Sequence, residues 1–554
     1  MEILSYVPTI PNEVQYRYHI QERILFVHFA PNTWQGQEYD DLSTPLELIN
    51  PSKADTDQWC QAALAFGAKE VLFVAKHVGG FCWWQTESSE YSIKNTPYKN
   101  GKGDLLAELS ASCKKYGLNL GVYVYPGDAY YGAILGGGGV TRDPEKQQAY
   151  IKAYRTQLTE VLSNYGDMIE IWFDGSNRLP IADIMDKYAK NSVIFQSPKA
   201  NIRWCGNENG ETPYPSYSTL DAASLATGLS TARHSNPQGN VWADIECDVP
   251  LYTHKWFWSP SNEELRKSVD ELMLCYYRSV GRGAVLLLNS SPNTDGVIPE
   301  GDMKRYQEFG AEIERRFGKS LEGEVTITND GLVCIYSETK KVNHIRIAED
   351  IRFGERIREY KISVLHNGTW TEVCEGSMIG ASRIEVFPTV EADAVRLIVT
   401  KSAQAPHITY MNTYCVTDVD LDALTLALQT PSYAHDNLWQ VCGVYESGRQ
   451  TIDLTPFIRF PGEYRVEFRS VHGEPVEISD VGGILEEILV PGIVHCETMQ
   501  NTLDTGCPVG ISYEKEKNYI INRTAVVEEG CTTKLTAALS SACEVRIMPM
   551  TNCM

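Results

Sequence analysis

From residue 24 to residue 289 the chain alternates short apolar runs with longer stretches of helical pattern. The runs are ILFVHFA (24–30), EVLFVAKH (70–77), LNLGVYVYP (118–126), IEIWFDG (169–175), VIFQ (193–196), IRWCG (202–206), VWADIEC (241–247) and AVLLLN (284–289). Strands buried on both faces of a parallel sheet read as continuous apolar runs, and parallel strands need long, usually helical, crossovers. The stretches between the runs include TDQWCQAALAFGA (56–68) and GDLLAELSASCKKYG (103–117), the second closing on Gly117 after two lysines, a helix stop signal. In DPEKQQAYIKAYRTQLTEVLSNYG (143–166), Asp143 suits an N-cap and Pro144 the first helical position. About eight such units predict a closed (β/α)8-type barrel. An open doubly wound sheet is the alternative, but no glycine-rich phosphate loop supports it. The fifth to seventh runs are irregularly spaced, so one or two helices are expected to be missing there.

After FGAEIERRFG (309–318) the pattern changes. Alternating segments such as EVTITNDGLVCIYS and HIRIAEDIRFGERIREYKISVLHNGTWTEVCEG carry the turn signals NDG and HNG, which predicts an antiparallel β-sandwich. Strand-like text resumes in GEYRVEFRSV, YIINRTAVV and CEVRIMPM. The expected organisation is therefore a barrel over 1–320, a β-sandwich over 321–417 and a second β-sandwich module over 418–554.

A formal net charge of −23 weighs against nucleic acid or an anionic membrane as partner, because both require a basic surface. No apolar run approaches the ~20 residues needed to cross a bilayer. The start, MEILSYVPTIPNEVQYRYHI, has neither a basic n-region nor an apolar h-region. As written the chain is expected to be cytoplasmic, or periplasmic or secreted if a native signal has been removed. The fifteen cysteines are scattered, with no CxxC pair and no zinc-like spacing. They read as mostly reduced core residues. No metal or organic cofactor is expected.

Polar groups gather where the barrel strands should finish. Run one ends near His28, run two in Lys76 and His77, and run three carries Tyr123 and Tyr125 toward Asp128. Run four ends in Asp174. GNENGE after run six holds Glu208 and Glu211, and run seven carries Asp244, Glu246 and Asp248. Trp34, Trp83, Trp84, Trp204, Trp256 and Trp258 lie close by in sequence. Side chains at the C-terminal ends of barrel strands face the active site. Carboxylates, histidines and aromatic rings at one mouth suit a sugar: rings stack on its C–H faces, polar groups bind its hydroxyls, and two carboxylates can cleave a glycosidic bond.

The same residues resemble a known family. FVHFAPNTWQGQEYD, AKHVGGFCWW, the stretch YSIKNTPYKNGKGDLLAELSASCKKYGLNLGVYVYPGD, IWFDG, RWCGNENG and ECDVP…KWFWSP occur in order. Together they resemble the α-L-fucosidases of glycoside hydrolase family 29. RWCGNENG is similar to the RWVGNExG segment of the subgroup that prefers α-1,3/1,4-linked fucose. The resemblance implies Asp174 as nucleophile and Glu208 as acid/base, with Glu246 and Glu211 as rivals for the second role. It implies substrate-binding roles for His28, Glu38, His77, Trp84, Tyr123, Trp172, Glu246 and Trp256. Residues 325–415 also resemble the family's β-sandwich.

The implied activity is exo-hydrolysis of terminal α-L-fucosidic linkages in oligosaccharides or glycoconjugates, by double displacement with retention. The two carboxyls should then lie roughly 5–5.5 Å apart. Two departures stand out. The family usually reads K-H-H-D-G-F after strand two, whereas KHVGGF places Val78 and Gly79 at the histidine and aspartate positions. ETPYPSYS replaces a shorter segment after Glu208. Val78 cannot hydrogen-bond a hydroxyl, so the same machinery tuned to another α-glycoside, such as an α-galactoside, is the alternative, with a catalytically weak carbohydrate-binding protein as a third reading.

Overall fold

The computed structural model describes residues 1–135, 137–174, 177–225, 235–429, 440–454, 462–470, 477–483, 491–493, 520–527 and 534–550. Its first layer is an eight-stranded parallel sheet. The strands are β1 (Arg23–Val27), β2 (Glu70–Lys76), β3 (Asn119–Val124), β4 (Glu170–Trp172), β5 (Val193–Phe195), β6 (Ile202–Trp204), β7 (Asp244–Val249) and β8 (Val285–Ser290). Their order is β5-β4-β3-β2-β1-β8-β7-β6. Each strand thus lies beside its neighbour in sequence, and β8 pairs with β1 in register from Leu286 opposite Arg23 to Ser290 opposite Val27. The ring is the predicted barrel, open in its ladder only between β5 and β6. That seam is bridged locally: Asn201 donates its backbone N–H to Ile194 O at 3.0 Å, and its Oδ1 accepts from Ile194 N at 2.6 Å.

Helices α1 (Glu13–His19), α2 (Thr56–Ala65), α3 (Leu105–Tyr116), α4 (Gln147–Asn164), α5 (Ala182–Tyr188), α6 (Val269–Arg278) and α7 (Glu300–Phe317) accompany the strands. Their ends follow side-chain chemistry. Asp104 caps α3 by accepting from Ala107 N, and Gly117 closes it at φ 67°, a conformation glycine adopts without steric cost. Asp143 caps a short 3-10 turn, Pro144–Lys146, that leads into α4. No helix separates β5 from β6, only six residues apart in the chain. Residues 226–234 between β6 and β7 lie outside the described residues.

Helix α1 sits at the N-terminal end of the barrel with a complete capping box. Gln15, its third residue, uses Oε1 for the Asn12 N–H and donates Nε2 to the carbonyls of Asn201 and Trp242, each at 2.8 Å. One side chain therefore caps a helix and ties it to the β5–β6 seam.

The barrel interior is packed, not hollow. Alternate strand residues point inward: Ile24 and Phe26, Leu72 and Val74, Tyr123, Trp172, Phe195, Ile202 and Leu287 form one buried cluster. The same parity carries Glu70, Glu170 and Glu246 inside, all fully buried. Gly121 faces this layer, where an added Cβ would overlap Glu70 Oε1 and sit 3.2 Å from Glu170 Cβ.

Beyond α7, β9 (Glu324–Ile327), β10 (Gly331–Glu349), β11 (Ile357–His366), β12 (Thr369–Gly376), β13 (Arg383–Ser402) and β14 (Ile408–Tyr414) build a mainly antiparallel sheet system. It has its own apolar core, including Ile345, Ile347, Ile362 and Leu397. The N-terminal pair Glu2–Ile3 joins β13 in parallel, so the chain start belongs to this unit and not to the barrel. Helix α8 (Leu421–Gln429) follows. The described strands from Gln440 onward form a five-stranded and a three-stranded sheet, with Val466, Phe468, Leu535 and Val545 between them. Gly121→Ala is expected to destabilise the protein by about 1–3 kcal/mol through overpacking of the carboxylate layer; urea unfolding of variant and wild type checks it.

Candidate active site

The site stands on the barrel axis at the C-terminal ends of the strands. Its base is the layer of three buried glutamates. Glu246 accepts from Trp172 Nε1 at 2.8 Å through one oxygen and from Tyr18 OH at 2.9 Å through the other. Glu70 accepts from Gln21 Nε2 at 2.8 Å. Burial pushes all three carboxyls up, and their proximity adds to the rise at Glu170. Protons held among them replace the charges that a low-dielectric interior disfavours.

Above this base the rings are stacked and aimed. Trp172 lies against Tyr123 at 5.8 Å between centroids, with planes 22° apart, and Tyr123 lies against His77 at 5.8 Å and 21°. The Tyr123 hydroxyl donates to Asp174 Oδ2 at 2.9 Å. Asp174 lies two residues beyond Trp172, on the inward parity of β4, and this is why a carboxylate stands at the end of an apolar run.

The opposite wall is built by the segment after β7. Trp256 packs on His28 at 4.7 Å between centroids. Its backbone N–H donates to Glu38 Oε2 at 3.0 Å and its Nε1 to Glu208 Oε2 at 3.1 Å. Its own carbonyl accepts from Asn289 Nδ2 at 3.0 Å and Ser291 Oγ at 2.6 Å. Trp256 thus orients two carboxylates from different loops while anchored to the end of β8. Burial raises the Glu38 carboxyl. Asp248 on β7 is held by Trp204 Nε1 at 2.6 Å. Burial, followed by the charges of Glu208, Glu246 and Asp174, pushes its pKa well up, so Asp248 shares the electrostatic field of both Asp174 and Glu208.

His28 and His77 complete the mouth, 6.3 Å apart between centroids. Burial drives both down, His77 to about 3. Both imidazoles are therefore neutral at ordinary pH, with one donor and one acceptor nitrogen each. Nδ1 of each is buried with no hydrogen-bond partner in the protein. Such atoms cost free energy unless something pairs them, and a ligand hydroxyl can do so.

Eight of the ten residues singled out in the sequence come together here: His28, Glu38, His77, Tyr123, Trp172, Asp174, Glu208 and Trp256. Two do not line the mouth. Trp84 is fully buried outside the ring, where its Nε1 donates to Glu160 Oε2 of α4 at 2.8 Å; it is a packing residue of the helix layer. Glu246 lies one layer below, its oxygens engaged by Trp172 and Tyr18. Glu211 turns away from the mouth into a pair of arginines, Arg278 and Arg282, each at 3.0 Å. Trp83 and Trp258 also belong to the outer layer, donating to Phe29 O and Glu263.

Lys76 and Asp128, polar like the site residues, neutralise each other at 2.8 Å with no exposure. The space beside Gly79 is filled by the Asp40 carboxylate, which accepts from Tyr91 OH at 2.7 Å and Gln35 Nε2 at 2.8 Å. Val78 joins the apolar interior cluster. Asp248 was legible as an inward carboxylate of run seven, but its exposure to the charges of both candidate catalytic groups depends on the loops. Among the described residues no group of three or more His, Cys, Asp or Glu is placed to hold a metal ion.

A parallel barrel with carboxylates, neutral histidines and aromatic walls at its C-terminal mouth is the architecture of a glycoside hydrolase. The sequence profile described as alpha-L-fucosidase matches residues 9–316, and the chain belongs to that family, glycoside hydrolase family 29. It is 29% identical over 457 residues to "Alpha-L-fucosidase 1" of Arabidopsis thaliana, covering 73% of this chain and 87% of the relative. Among solved structures it is similar to a Ruminococcus gnavus GH29 fucosidase in complex with fucose, with TM-score 0.65 and 26% identity over 75% of this chain and 97% of that one. The fold is shared more widely with a glycoside hydrolase 29 family member from an unknown rumen bacterium, with TM-score 0.67 at 24% identity and 96% coverage of both chains.

The three-glutamate layer sets a pH dependence of stability. Its carboxyls have folded pKa values above their unfolded values, so the stabilisation is complete below the unfolded carboxylate pKa and is lost as pH rises toward the folded values. Removing one member of the layer by Glu170→Gln is expected to flatten the fall in melting temperature between pH 5 and pH 9; thermal melts across that range check it.

Proposed function

We propose that this enzyme hydrolyses terminal α-L-fucosidic linkages of oligosaccharides or glycoconjugates by double displacement with retention. Asp174 attacks the anomeric carbon, the glycosidic C–O bond breaks, and Glu208 gives its proton to the departing oxygen. Glu208 then takes a proton from water as the water attacks the anomeric carbon, and the ester bond to Asp174 breaks. The observation that carries the reading is the pair of differently held carboxylates at one mouth: Asp174 fastened by Tyr123 on β4, and Glu208 fastened by Trp256 on the loop after β6. Tyr123 supports an ionised Asp174 by donating to it. The neutral His28 and His77 offer unpaired nitrogens to sugar hydroxyls, and Trp256 offers an apolar face.

The R. gnavus relative was solved with fucose, which supports the same sugar here. The RWCGNENG segment supports an α-1,3/1,4 preference. Val78 favours a second reading. An apolar side chain in the interior cluster beneath the mouth cannot pair a hydroxyl, so discrimination between α-L-fucosides and α-galactosides rests on the remaining groups.

Wild-type enzyme is expected to hydrolyse p-nitrophenyl α-L-fucoside at least about tenfold faster than the corresponding α-galactoside. Asp174→Ala is expected to lose on the order of 10³-fold or more in kcat/KM, with azide restoring turnover and yielding the inverted β-L-fucosyl azide. Preference for the galactoside would transfer the assignment to the second reading, and an unchanged Asp174→Ala would remove Asp174 as nucleophile.

A further inference from the structure

Glu208 sits on a loop that leaves β6 and turns back beside β7. Its first half is fastened to the barrel: Cys205 N donates to Glu246 O at 2.8 Å and Gly210 N to Asp248 O at 3.0 Å. Within the loop, Asn207 Nδ2 donates to Glu211 O at 2.7 Å, and Asn209 N donates to Asn207 Oδ1 at 3.0 Å. Gly210 adopts φ 66° with little room around it: a Cβ added there would lie 3.1 Å from Cys275 Cβ and 3.2 Å from Val249 Cβ. The turn bearing Glu208 is therefore narrow and defined.

Its far end is held by charge. Glu211, only 7% exposed, accepts from Arg278 Nη1 through Oε2 and from Arg282 Nη1 through Oε1, each at 3.0 Å. Arg282 Nη1 also donates to Thr212 O at 2.6 Å, and Thr212 N donates to Arg278 O at 3.1 Å. Both guanidiniums reach further. Arg278 Nη2 donates to Ala427 O at 2.5 Å and Arg282 Nη2 to Leu428 O at 2.9 Å. Ala427 and Leu428 close the last turn of α8, whose start is capped by Asp420.

The last carbonyls of a helix lack intrahelical partners, and the C-terminus carries partial negative charge. Two buried guanidiniums are thus balanced by one carboxylate from the loop and one helix end from beyond the β-sandwich.

We propose that Glu211 is a positioning residue for Glu208, and that the Arg278–Arg282 pair couples α8 to the acid/base loop. This rests on the assignment of Glu208 as acid/base. A general acid must lie within hydrogen-bond reach of the departing oxygen, and small misplacements cost large factors in rate. Glu211 lies three residues from Glu208 and is the loop's ionic anchor, so its loss displaces the acid while the fucose-binding wall built by His28, His77 and Trp256 stays in place.

The test uses the full chain, two aryl fucosides and azide. Phenyl α-L-fucoside needs acid assistance to depart, whereas 2-chloro-4-nitrophenyl α-L-fucoside largely does not. Glu208→Gln provides the reference. It should lose about 10²-fold or more in kcat/KM on the phenyl substrate and much less on the activated one. Azide should accelerate its turnover of the activated substrate and give the retained α-L-fucosyl azide, by attack on the anomeric carbon of the glycosyl-enzyme with release of the Asp174 carboxylate.

Glu211→Gln should show the same leaving-group bias and the same azide response, reduced to about tenfold. Arg282→Lys keeps the charge but cannot bridge loop and helix, and should show the bias without loss of fold. It carries the test if Glu211→Gln does not fold. Equal losses on both substrates with no azide response, or no loss at all, would overturn the proposal. Absence of the signature in Glu208→Gln would instead overturn the acid/base assignment on which it rests.

Discussion

The parallel pairing of β8 with β1 is the contact on which the rest depends. It joins residues 286–290 to residues 23–27 and turns a row of sequential βα units into a ring. Closure makes the C-terminal ends of strands far apart in sequence converge. It brings His28 at the end of β1 beside Trp256, from the segment after β7, and Asn289 of β8. Without it, the inward-facing polar residues would line one face of an open sheet and share no common mouth.

Closure also creates an electrostatic problem. Inward parity delivers Glu70, Glu170 and Glu246 to one dry layer, where full ionisation is prohibitively costly. Shared protons, Tyr18, Gln21 and Trp172 resolve it. Higher along the axis the same low dielectric serves the site. It holds His28 and His77 neutral and raises the Asp248 carboxyl. The polar strand ends thus divide into a structural group, which includes Lys76 with Asp128 and the glutamate layer, and a mouth group left to meet a ligand.

The barrel was legible because its strands are buried on both faces. Runs such as VLFVA and VLLL are uniformly apolar, and each lies within its strand. Asp174 was legible for a related reason, since a two-residue period carries the inward face from Glu170 through Trp172 to Asp174. Trp84 was not. The chain leaves the strand before it, parity no longer applies, and its indole packs outward on α4. Glu208 and Glu211 stand on one loop, and the sequence put Glu208 first only through the family resemblance. They are separated by what lies across from each: an indole N–H for one, two guanidiniums for the other.

By itself the sequence determined the periodicity of the elements, the polar character of the strand ends and the ordered motifs of a family 29 glycosidase, because these are properties of local spacing and residue type. Tertiary structure alone decided which carboxylates face the mouth, which are proton-sharing ballast and which serve as anchors. Those distinctions depend on partners more than fifty residues away, such as Glu38 with Trp256 or Glu211 with Arg278 and Arg282, and on burial. No local pattern encodes either.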